Sequence, residues 1–288
     1  MKRILVIADP YEEEQIAFEK AIDIAKHTVA DLHVIIFCYE SFSFEESEKN
    51  TGLEKMVIDR VKQWWKNYVR SQNFDVSVQY NVVWEKHISA WILHHCKENT
   101  YDLIVKTGKR SESFFHTPTD WQLFRKSNTS VYSVNESEAK RNKVILACLD
   151  LMSNHDSKNE LNKKILEEAF KLAVQTNSVL HCCFSIQASK LLEDSDVIDI
   201  EKHIDATKVL ARVKALKLFD LYELEEKNFH IKYGIPQNFI SELSKLLRAE
   251  CVVIGSMGRV GVSGKIIGNT AEKVIPMVNS DLLVVSSA

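Results

Sequence analysis

Residues 144–150, Val-Ile-Leu-Ala-Cys-Leu-Asp, restate residues 4–9, Ile-Leu-Val-Ile-Ala-Asp. Each is a short, continuously apolar run that reads as a buried strand and stops at an aspartate. The downstream elements repeat as well. After Asp9 come helical spacing over residues 13–28, a second strand at Leu32–Cys38, and a long amphipathic helix carrying Leu53, Val57, Val61, Trp64 and Tyr68. Val76, Val78, Val82 and Val83 mark a third strand, Ile88–Lys97 a helix, Leu103–Val105 a fourth strand and Val131–Val134 a fifth. After Asp150 come a helix over Leu161–Val174, strands at Val179–Phe184 and Phe229–Tyr233, and a helix somewhere within 200–222. Phe239–Leu247 then reads as a helix, and Val252–Ile254 and Leu282–Val285 as strands. Leu180-His181 matches Leu32-His33, and Phe239-Ile240 matches Trp91-Ile92, at an offset of about 148 residues. Strands alternating with helices imply a parallel sheet covered on both faces. A repeat of this length is a duplicated domain. The expected fold is α/β, with two tandem Rossmann-like domains, residues 1–135 and 142–288, each holding a five-stranded parallel sheet. The polar stretch 135–141 is read as the linker.

Composition narrows the function classes. The chain has 288 residues, 37 Lys+Arg against 40 Asp+Glu and a net charge of -3, so it lacks the basic footprint of a nucleic-acid binder. No apolar run approaches the roughly 20 residues of a membrane helix. The apolar run after Met1-Lys2-Arg3 is too short for a secretory leader. Cys148, Cys182 and Cys251 lie in apolar stretches, where reduced core thiols are expected, so the expected compartment is the reducing cytoplasm.

Glycine is the most informative residue. Five of the eight glycines fall between 255 and 268, so one segment needs unusual backbone. That segment, Gly255-Ser-Met-Gly-Arg-Val-Gly-Val-Ser-Gly-Lys-Ile-Ile-Gly-Asn-Thr270, follows a strand and precedes a short helix read over Ala271–Val278. Asn269 or Thr270 can cap that helix. Glycine backbone before a helix N-terminus, at the carboxyl end of a parallel strand, suits an anion. Arg259 and Lys265 add positive charge. The spacing is neither a Walker A loop nor a dinucleotide fingerprint.

Gly255-x2-Gly258-x9-Gly268 resembles the ATP loop of the universal stress protein family, and Asp150 stands where that family places an aspartate near adenine and ribose. Thr117-Pro-Thr-Asp-Trp-Gln-Leu-Phe-Arg-Lys126 resembles a signature of its tandem E-type members. The resemblance implies an adenine nucleotide alpha hydrolase-like fold and a cytoplasmic stress-response protein that holds a small ligand, an adenine nucleotide. The implied nucleotide set is Asp150, Gly255, Met257, Gly258, Arg259, Gly268, Asn269 and Thr270, with ATP in the second half only and Mg accompanying it. The family places Ser or Thr after the last glycine, and here Asn269 stands there. The first-half loop has Gly108 alone, with Thr117-Pro118 where the last glycine would be, so it is not expected to bind ATP in this mode. Lys106, Lys109 and Arg110 read as a solvated basic loop, with attraction of some other anion as the alternative.

Little else suggests chemistry. His94 and His95 are adjacent on a helix and point about 100° apart, which suits one metal ion poorly. His33 and His181 read as packed, hydrogen-bonded residues, and Trp64, Trp65 and Trp121 as packing surface. No nucleophile elbow, paired carboxylates or P-loop lysine is present, so no catalytic residue and no metal site is expected. The rival readings are an ATPase or phosphotransferase, and an interaction protein that binds no nucleotide.

Single-domain relatives pair through their last strand. The two halves are expected to pair likewise within one chain through Val131–Val134 and Leu282–Val285, with a homodimer as a further assembly; no membrane or nucleic-acid partner is expected. Limited proteolysis checks the pairing. If the halves pair, a cut within 135–141 leaves them associated; release of two independent domains contradicts it.

Overall fold

The computed structural model describes residues 1–41, 47–72, 74, 76–108, 119–136, 140–187, 199–219, 221–222, 224–256 and 268–287. The chain divides into two compact units, Met1–Leu123 with Thr129–Glu136, and Phe124–Asn128 with Ser137–Ala288. In unit 1 the order is β1 (Arg3–Ala8), α1 (Ile16–Ala25), β2 (Asp31–Cys38), α2 (Ser47–Ser71), β3 (Val78–Trp84), α3 (Ile88–Glu98), β4 (Leu103–Gly108), α4 (Thr119–Lys126) and β5 (Ser130–Asn135). The strands lie in the order β3-β2-β1-β4-β5, every neighbouring pair parallel. Ile4–Ala8 of β1 and Leu103–Val105 of β4 are apolar and buried, as in a parallel sheet covered on both faces, and Ile4, Leu5, Leu103 and Ile104 have no exposed surface. Trp65 of α2 is fully buried edge-on to Phe18 of α1, ring centroids 5.1 Å apart.

Unit 2 repeats the plan with β6 (Asn142–Leu149), α5 (Asp156–Thr176), β7 (Val179–Ile186), α6 (Ile200–Phe219), β8 (Phe229–Tyr233), α7 (Pro236–Leu247), β9 (Ala249–Ser256), α8 (Asn269–Val274) and β10 (Asp281–Ser286). Its strand order is β8-β7-β6-β9-β10, again all parallel. At the tight turn into α7, Gly234 has φ +142°, a conformation side chains rarely adopt, and its carbonyl accepts from Ser185 Oγ at 2.7 Å. Pro236 opens α7 at its first position, where the missing N–H costs nothing.

Several boundaries differ from the sequence reading for local reasons. Helix α1 starts at Ile16, not residue 13. Tyr11 turns through φ 64°, and the Gln15 amide donates back to the carbonyls of Asp9 (2.7 Å) and Glu12 (3.0 Å). The last helix begins at Asn269, earlier than expected, and tightens to a 3-10 turn over Ile275–Met277. Pro276 lacks the N–H that an α-helical continuation needs. Arg141, read as linker, is anchored in unit 2. It donates to Asp281 Oδ1 (2.5 Å) and to the carbonyl of Asn279 (3.2 Å), and Asp281 is fully buried.

The strand histidines are packed and hydrogen-bonded. His33 shares Nδ1 with the Tyr101 hydroxyl and Nε2 with Asn81 Oδ1 at 2.9 Å. His181 Nδ1 meets His230 Nε2 at 2.9 Å, with the rings stacked. Burial, and for His181 also the charge of its neighbour, holds both groups of this pair below the ordinary histidine value. The unfolded chain therefore takes up protons near its ordinary value of about 6.5 while the native pair refuses them. The pair's contribution to the stability of unit 2 is complete above that pH. It is lost as pH falls from there through the lowered native values. Urea midpoints at about pH 7.5 and about pH 5.5 should differ in that direction, and His230→Phe should flatten the difference.

Candidate functional site

A cavity of about 420 Å³ opens in unit 2 at the carboxyl ends of β6, β7 and β9. Parallel pairing puts these ends on one edge of the sheet, where open α/β sheets leave room for ligands. Of the residues singled out from sequence, Asp150, Gly255, Gly268, Asn269 and Thr270 all line it. Met257, Gly258 and Arg259 lie outside the described residues.

Asp150 sits just beyond β6. Its backbone is fixed by the buried Asn162 side chain of α5, which accepts from the Asp150 N–H at 2.9 Å and donates to the Asp150 carbonyl at 2.8 Å. The carboxylate is left about half exposed and receives the Lys158 ammonium at 2.7 Å. Lys158 and Asn162 both line the cavity, and both were missed in the sequence. The available signal for Asn162 was a polar residue beside Leu161, Ile165 and Leu166 on an apolar helix face. Lys158 carried no signal beyond its place in the first turns of the helix after Asp150.

The two described glycines of the loop have different physical reasons. A Cβ at Gly255 would stand 2.6 Å from Leu161 Cδ2 and 2.9 Å from Ile165 Cδ1, so glycine there lets α5 pack onto the end of β9. At Gly268 no described heavy atom lies within 4 Å of such a Cβ. Gly268 itself is the N-cap of α8, its carbonyl accepting from Glu272 N–H at 3.1 Å. This corrects the expected cap. Asn269 and Thr270 are the first two helical residues, and no side chain caps the helix. Both are exposed at the cavity mouth instead.

Unit 1 has a cavity of about 620 Å³ with opposite chemistry: Asp9, Glu12, Glu13, Glu14 and Glu136 line it. Carboxylates repel phosphate, so volume alone does not decide which unit suits an anion. Lys106 is also not part of a solvated basic loop. It is a buried residue of β4 and forms an ion pair with buried Asp120, in the first turn of α4. Burial pushes the Asp120 carboxyl above its usual range, while the adjoining Lys106 pulls it the other way. Lys109 and Arg110 lie outside the described residues. His95 turns inward to the Tyr101 hydroxyl at 2.9 Å, whereas His94 is exposed beside Glu98. Among the described residues no three His, Cys, Asp or Glu side chains are placed to hold a metal ion. No described helix is long and apolar enough to cross a membrane.

The sequence pattern of the universal stress protein family matches residues 1–135 and again 142–286. The chain belongs to the universal stress protein family. It is 28% identical to the universal stress protein E homolog of Haemophilus influenzae over 300 residues, covering 98% of this chain and 96% of that protein. It is 28% identical to universal stress protein E of Escherichia coli K12 over 297 residues, covering 99% and 93%. A crystal structure of a universal stress protein from Archaeoglobus fulgidus superposes with a TM-score of 0.64 at 15% identity, covering 99% of this chain and 98% of that one. The tandem α/β fold read from the sequence is thus that of a two-domain universal stress protein. Within it the two cavities differ: that of unit 2 is bordered by Gly255 and Gly268, that of unit 1 by carboxylates.

The ion pair of Lys106 and Asp120 gives a stability test. Asp120→Ala leaves the Lys106 ammonium buried without its partner, which should cost about 3–5 kcal/mol. Replacing both residues by apolar ones of similar volume should recover most of this. Urea denaturation of the single and double variants measures both.

Proposed function

We propose that this tandem universal stress protein binds one adenine nucleotide, in unit 2, and holds it without rapid turnover. The observation that carries this reading is the unit 2 cavity that gathers Asp150, Gly255, Gly268, Asn269 and Thr270 at one sheet edge. Its volume falls in the ordinary range for small-molecule sites. The absence of a side chain at Gly268, with no described atom within 4 Å of where one would stand, suits close approach of phosphate oxygens to backbone. Asn269 and Thr270 offer an amide and a hydroxyl at the same end. Met257, Gly258 and Arg259 complete the proposed set from the glycine segment. The Asp150 carboxylate suits a ribose hydroxyl or the adenine amine, and Lys158 balances its charge. Mg would enter with the phosphates rather than as a resident ion.

The residues named here bind and orient. None is a good general base for water at a γ-phosphate, so occupancy rather than hydrolysis is the output. A cytoplasmic location, where ATP is abundant, fits this role. The acidic cavity and buried ion pair of unit 1 support confining the nucleotide to unit 2.

Calorimetric titration with ATP should give one site. Asp150→Ala should lose about 1 kcal/mol of binding, roughly fivefold in affinity. Unchanged binding would place the nucleotide elsewhere. Tighter binding would mean that the carboxylate faces phosphates and that its loss frees Lys158. Two equal sites would contradict the asymmetry. Hydrolysis at about 1 per second or faster, an ordinary enzyme rate, would make the protein an ATPase, and no binding at all would favour an interaction role.

A further inference from the structure

Four cysteines, Cys148, Cys182, Cys183 and Cys251, lie in the sheet of unit 2, and two of them are a pair by geometry. Cys148 of β6 and Cys183 of β7 stand directly opposite each other in the parallel register. Directly registered residues on neighbouring strands project to the same face of the sheet. Cys183 Sγ is 3.6 Å from Cys148 Sγ, and both residues line the cavity. Cys182 is registered with Ala147 and projects to the opposite face. Cys251, fully buried, is registered with Ile145, on that same opposite side. The strands therefore divide four thiols into one facing pair at the cavity and two residues behind the sheet.

We propose that Cys148 and Cys183 are a covalent modification site, a dithiol that closes to a disulfide in the cavity wall on reaction with a hydroperoxide. Neighbouring strands lie about 4.8 Å apart, inside the Cα separation of about 4.4–6.8 Å that a disulfide spans. Closure to the bonding distance of about 2.05 Å is a matter of side-chain rotation, with the sheet left in place. Cys148 is the more exposed of the two, so it meets the oxidant first. Its sulfur attacks the peroxide O–O bond, the bond breaks, one oxygen stays as the sulfenic acid and the other leaves as water. The Cys183 sulfur then attacks that sulfenic sulfur, the S–S bond forms, and the second oxygen leaves as water with the remaining thiol proton. Two thiols are oxidised by two electrons and one hydrogen peroxide is reduced to two water molecules. The contact with Cys183 and burial raise the Cys148 thiol well above its ordinary range. Thiolate is then scarce, and the reaction answers sustained rather than brief exposure.

The site stands on strand register and does not depend on the nucleotide reading. The test is mass spectrometry of the full-length protein, natively folded and without added nucleotide, incubated for hours with millimolar hydrogen peroxide. The expected product is about 2 Da lighter per chain, and its digest links the peptide holding Cys148 to the peptide holding Cys183. Cys182 shares that second peptide, so Cys182→Ala should still give the link, while Cys148→Ala should not. Dithiothreitol should restore the parent mass. The proposal is overturned if both thiols of the pair stay free, if the link disappears in Cys182→Ala, or if Cys148 and Cys183 each gain oxygen without joining. Circular dichroism of each variant before oxidation establishes that the sheet is intact.

Discussion

Strand β6 bonds in parallel register to β7 on one side and β9 on the other, and the chemistry of unit 2 depends on that double pairing. It sets Cys148 against Cys183, delivers Asp150 to the cavity from one strand end, and brings Gly255 level with it from the other. A slip of one residue in either pairing would turn the cavity wall inside out, because side chains alternate faces along a strand. The apolar side chains packed on both faces resist such a slip. The site therefore inherits its precision from the core.

The helix on that sheet adds the second constraint. Leu161 and Ile165 press against the end of β9 closely enough that residue 255 has no room for a side chain. On the same helix, Asn162 holds the Asp150 backbone through two hydrogen bonds. A single helix thus fixes both the glycine and the aspartate. Gly255 belongs as much to the packing as to the loop it begins.

The tandem α/β fold could be read from the sequence because its strands are buried on both faces and appear as unbroken apolar runs, and because the runs occur twice. Helix ends were harder to read. The start of α1 depends on a glutamine side chain folding back onto carbonyls, and the end of α8 on a proline within a pattern that otherwise continues. The cavity residues Gly255, Gly268, Asn269 and Thr270 stood out by type and spacing, and Asp150 through the family resemblance. Lys158 and Asn162 act through contacts that need the helix in position, and helical spacing alone does not single them out. Lys106 misled for an instructive reason. A lysine next to Lys109 and Arg110 looks solvated in one dimension, and only the placement of Asp120 reveals that it is buried.

The buried pair of Lys106 and Asp120 also bears on how the two halves of the chain can change over generations. Removing either residue alone strands a charge in the interior, at a cost of about 3–5 kcal/mol, against total domain stabilities of only about 5–15 kcal/mol. A chain that carries the pair can lose it only by changing both residues together or by passing through a destabilised intermediate. The ion pair thus works as a ratchet on the unit 1 site.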